Sequence, residues 1–294
     1  MAAVSAYAQA GPGADAEVPQ KKSKSKPLIL MGLSALHVLT IGWMAMCWAG
    51  VLWFSQSGIG HGQGIVPGMS LLSRVSITAG LIPVLAAVNV LHSAANRDRL
   101  DGTTFKVINV ALTVATVGCG IAEYLNAAAF TPLGLRPAFI ALSALVSALI
   151  YRKHGVPKFK FDITNPLSAA YAAASGLMAL TGLGLWIEAT VWNANFFIVN
   201  FLVGSHTIFT SGTFCLFAAF VLNTLQSAAV AGPKRLSSVT YKQLNLSLVG
   251  AGGWMLLGMA WSAYIGLQAL PVLLPYALIG SSLVAVGYTG YRTG

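Results

Sequence analysis

Charge is what this chain has least of. Only 8% of its 294 residues are Asp, Glu, Lys or Arg, against about a quarter in an ordinary soluble domain. With a mean hydropathy of +0.74, there is too little polar surface to clothe a water-soluble core, and that class is excluded. Acidic residues are scarcer still, seven in all. Of these, Glu123 alone sits well inside an apolar run and Glu188 closes another, so an intramembrane metal site built on several carboxylates cannot be assembled. Cysteine is equally sparse. Cys47, Cys119 and Cys215 each fall within an apolar run and read as small buried side chains, with no disulfide framework and no C-x-x-C motif. There is no P-loop, H-E-x-x-H, G-x-S-x-G or dinucleotide glycine fingerprint, and no mid-run lysine for a Schiff base. The sequence reads as that of a non-enzyme.

What is abundant is apolar sequence in long runs. Most approach the roughly 20 residues a helix needs to cross a hydrocarbon core. They lack the alternation of a barrel strand, and in lipid every backbone amide must be satisfied, so the runs are predicted to be helices. The fold class is all-α: a polytopic membrane protein with eight transmembrane helices. The spans are expected at about Pro27 to Phe54, Leu71 to Ser93, Lys106 to Phe130, Pro137 to Tyr151, Leu167 to Glu188, Phe197 to Gln226, Asn245 to Leu267 and Val272 to Tyr291. Pro83 is expected to kink the second, and Asn165 before Pro166 to cap the fifth.

Two halves of the chain echo each other. Thr104-Phe105-Lys106-Val107-Ile108-Asn109 returns as Thr240-Tyr241-Lys242-Gln243-Leu244-Asn245, an offset of 136. Asn89, Leu91, Ser93, Ala94 and Ala95 fall on Asn223, Leu225, Ser227, Ala228 and Ala229 at 134. Matches at 141 around Ser34 and at 138 around Pro137 complete the series in chain order, as a tandem duplication would. The organisation is then a flexible basic tail (1–26), a four-helix repeat (27–151), a linker (152–166) and a second four-helix repeat (167–294). An even number of spans per repeat makes the two parallel, related by an axis along the membrane normal.

Basic residues supply the orientation. Threaded eight times, the chain gathers 15 of its 17 lysines and arginines on one side, leaving Arg74 and Arg136 for the other. Both termini are therefore expected on the cytoplasmic side or its topological equivalent. The net charge of +10 follows from those loops and calls for no nucleic acid. The tail's Lys21, Lys22, Lys24 and Lys26 suit anionic lipid headgroups, as does the Lys158-Phe159-Lys160-Phe161 linker run. All seven tryptophans fall toward the other face, as an aromatic belt would.

Three sets of side chains are candidates for function. Glu123, in the outer third of its span, has Arg74 and Arg136 entering from the same side; they form either a vestibule for a polar or charged solute or a structural ion pair. His37 and His206 lie near mid-membrane, where two histidines can ligate haem or a pigment or carry a proton; a satisfied interior role is the simpler reading, and no cofactor is predicted. Asn89, Asn109, Asn223 and Asn245, with Lys106 and Lys242, recur on the inner half and suit interhelical hydrogen bonds. The first functional expectation is a small-solute or ion transporter or channel using Glu123, Arg74 and His206. Alternatives are a non-catalytic subunit of a larger membrane complex, photosynthetic or respiratory, and a haem- or pigment-binding protein.

Overall fold

The computed structural model describes residues 67–97, 99–125, 163–191, 205–231, 236–266 and 270–294, with isolated positions between 145 and 157. The described residues form six helices: α1 (Pro67–Asn96), α2 (Thr103–Leu125), α3 (Pro166–Val191), α4 (Ser205–Ala231), α5 (Ser238–Tyr264) and α6 (Leu270–Thr293). Five of them are long and apolar enough to cross a membrane; the sixth, α2, has a shorter described apolar stretch, Thr103–Ala115. The chain is a helical, multi-pass membrane protein. The tail, the first predicted span with His37, Arg136, nearly all of the fourth span and the Lys158 to Phe161 run lie outside the described residues.

Local chemistry explains where the helices begin. Pro166 opens α3, and the Asn165 side chain accepts a 2.7 Å hydrogen bond from the Ser168 amide, satisfying one of the donors a first turn leaves orphaned, as predicted. Pro67 opens α1, where its missing N–H costs nothing. Ser237 caps α5 by accepting from the Thr240 amide, so this helix starts seven residues before the predicted Asn245.

Packing gathers the helices into hairpins. In lipid the solvent is as apolar as the side chains, so helices hold together by close contact and hydrogen bonds rather than by water exclusion. The closest pairs are α3 with α4 and α5 with α6, and each is built on two glycines facing each other. A Cβ on Gly182 would lie 2.7 Å from the Gly212 carbonyl oxygen, and one on Gly212 would lie 2.8 Å from that of Gly182. Between α5 and α6 the reciprocal distances are 2.5 Å for Gly252 against Gly280 and 3.0 Å for Gly280 against Gly252. No other residue allows the backbones that near. Helix α2 packs along α4, and α1 along α5, with a further contact between α1 and α4.

Candidate functional site

The two hairpins touch each other far less than their own helices do, and a cavity of about 130 Å³ lies between them under α1. Helices α3, α4, α5 and α6 supply its walls with Met178, Phe214, Met255 and Ile279 among others, and α1 supplies Ser76, Ala79 and Gly80. Proline borders it on two sides. Pro83 on α1 and Pro275 on α6 both line it and both lie inside continuous helices. A helical proline withdraws the N–H that would bond the carbonyl four residues earlier; for Pro83 that carbonyl belongs to Ala79, itself a lining residue. The remaining polarity comes from Thr181, Ser211, Cys215 and Tyr276, the last within hydrogen-bonding reach of Ser76 on the cavity wall. Among the described lining residues none is charged.

Beyond this cavity, toward the start of α3, the hairpins are clamped. The Tyr171 hydroxyl on α3 donates to Asn245 Oδ1 on α5 and lies 3.1 Å from the Tyr241 hydroxyl, while Asn245 Nδ2 donates back to the Tyr241 carbonyl at 3.0 Å. All three side chains are buried. Gly290 on α6 is the seat: a Cβ there would overlap the Tyr171 hydroxyl and lie 2.5 Å from Asn245 Oδ1. Tyr171 precedes Met178, the first α3 residue of the described lining, by seven positions, about 10 Å of helix rise. A satisfied polar cluster in this apolar setting holds its helices in one register, because parting them would strand the amide and hydroxyls.

A second polar contact joins α3 to α4 near their other ends. The Trp186 indole N–H donates to Thr213 Oγ1 at 3.0 Å, and its ring stacks on Phe209 at 4.9 Å. Beside it, Glu188 is buried, 1% exposed.

The chain matches no protein-family model, no curated protein and no solved structure.

Against this geometry the sequence-derived candidates divide. Asn245 on α5 accepts a hydrogen bond from the Tyr171 hydroxyl on α3. Asn109, 136 positions earlier, is also fully buried, yet neither amide atom meets a hydrogen-bond partner. Asn223 bonds Gln226 on its own helix at 3.3 Å, and Asn89 is exposed. Lys242 reaches along the surface to place its ammonium 6.0 Å from the centre of the Tyr291 ring, and the Lys106 ammonium lies near Gly155 of the linker. Arg74, Glu123 and His206 lie on α1, α2 and α4, with side chains outside the described set. Of the three, Arg74 stands closest in sequence to the cavity, two residues before Ser76.

Sequence reasoning overlooked Tyr171, Tyr276, Ser76 and the lining role of Cys215. Two signals pointed their way: an interior proline in each of two spans, and a tyrosine one turn into α3.

Proposed function

We propose that the chain is a membrane carrier for a small uncharged solute, built from two tandem, parallel four-helix repeats, with both termini on the cytoplasmic side. The observation that carries the functional part is the cavity between the hairpins. A bundle whose only task was to fill a place among other subunits has no reason to keep it. The uncharged lining favours a neutral solute over an ion, since an unpaired charge in such surroundings is costly. Closure at Tyr171, Asn245 and Gly290 fits a state sealed toward the inner face, with Arg74 and Glu123 toward the outer ends of α1 and α2.

Contacts support the repeat. Applied to the close approach of Gly118 and Thr213 between α2 and α4, the sequence offsets of 136 and 134 lead to Trp254 and Ala79. The Trp254 indole N–H donates to Thr78 at 2.7 Å, one residue away, in the α5 and α1 pair. Burial follows the same mapping: Ile108, Asn109 and Leu112 on α2 and their counterparts Leu244, Asn245 and Leu248 on α5 are all 0% exposed. At the centre Gly80 meets Phe214, and these two are counterparts at the offset of 134. Equivalent residues touch where a two-fold axis passes between them.

The test is flux into proteoliposomes for uncharged solutes graded in polarity from glycerol to phenol, with potassium chloride as the ionic control. At least one neutral solute is expected to enter several-fold faster than into empty vesicles. Ala251→Phe, which fills the cavity, is expected to abolish that increment. Entry at the protein-free rate for every solute, or a potassium chloride current alone, would refute the carrier reading. Extraction only as a stoichiometric complex, without flux, would favour the subunit alternative.

A further inference from the structure

We infer that the cavity between the hairpins is a binding site for a ring-sized, uncharged molecule bearing one hydrogen-bonding group; this rests on the carrier reading and names its substrate class. Size argues first. A cavity of about 130 Å³ is close to the roughly 150 Å³ that accommodates a benzene ring in a protein interior. The walls argue next. Met178 and Met255, from opposite hairpins, and the Phe214 ring all line it; thioethers adapt to a flat guest and make favourable contacts at aromatic edges. Polarity supplies the last element. The Tyr276 hydroxyl faces Ser76 at the wall, so a phenol, a ring ketone or a similar group can exchange hydrogen bonds with that pair, whereas a carboxylate or ammonium finds no countercharge among the described lining residues.

The experiment is ¹⁹F NMR of 4-fluorophenol, fluorobenzene, 4-fluorobenzoate and a fluorinated straight-chain alcohol of equal carbon number, each titrated into the full chain in lipid nanodiscs. Fluorophenol is expected to bind saturably, about fivefold more tightly than fluorobenzene, in line with one net hydrogen bond. Benzoate and the straight-chain alcohol are expected to show no saturable site. Tyr276→Phe is expected to erase the fluorophenol preference and leave fluorobenzene unchanged, and Ala251→Phe to remove both. Saturable benzoate binding, equal binding of the chain alcohol, or a fluorophenol preference that survives Tyr276→Phe would each overturn the inference. Should Ala251→Phe misfold, the Tyr276→Phe comparison alone decides. Ring binding without flux would leave this site standing and remove the carrier function; flux without ring preference would do the reverse.

Discussion

A single hydroxyl ties the two hairpins together. Tyr171 donates to Asn245 over a glycine that has no room to be anything else. Gly290→Ala forces the tyrosine to move and is expected to destabilise the fold by about 1 to 3 kcal/mol, the usual cost of overpacking. Tyr171→Phe leaves the Asn245 carbonyl oxygen without its donor, at about 1 to 3 kcal/mol. The two effects share an atom, so they should not add. In the Tyr171→Phe background the hydroxyl that the new methyl would strike is gone, and Gly290→Ala is expected to cost measurably less than in the parent. Unfolding of all four proteins in mixed micelles closes the cycle; strict additivity would show that the hydroxyl and the glycine do not oppose each other.

At the scale of helices, neighbouring glycines separate packing from propensity. Gly252 faces the Gly280 backbone, whereas a Cβ on Gly253 meets nothing within 4 Å. Gly252→Ala is therefore expected to weaken the α5 and α6 pair, and Gly253→Ala to be neutral or stabilising by up to about 1 kcal/mol, because alanine favours the helix. The same unfolding assay reads both, and equal losses would refute the reciprocal glycine contact. Helix existence was legible in the sequence because a span must be about 20 apolar residues long. The start of α5 was not: Thr240 and Lys242 look like loop residues. Ser237 supplies the cap, and a lysine stem can lie along an apolar surface with its ammonium at the edge. Partnership between helices was hidden for a different reason. Lipid and protein are equally apolar neighbours, so no polar face marks which side of a helix is which. The cavity was least legible of all, being a gap between side chains from five helices; Pro83 and Pro275 hinted at it, and the candidates chosen for charge, Glu123, Arg74 and His206, have side chains outside the described set.

For the molecule as a whole, sidedness is the decisive quantity. Arg97 follows α1 and Ser238 opens α5, and both are exposed. In a cysteine-free background, Arg97→Cys and Ser238→Cys are expected to react with a membrane-impermeant maleimide from the same side, the one that also holds both termini. Labelling from opposite sides would refute the parallel repeat and with it the two-fold axis.

For the tandem repeat we propose, Gly80 against Phe214 carries a consequence for how two such halves would recognise each other. Two phenylalanines meeting there would collide, and two glycines would leave a hole, so each half is shaped for its sibling and not for itself. Under that proposal, joining both on one polypeptide guarantees that every molecule contains one of each.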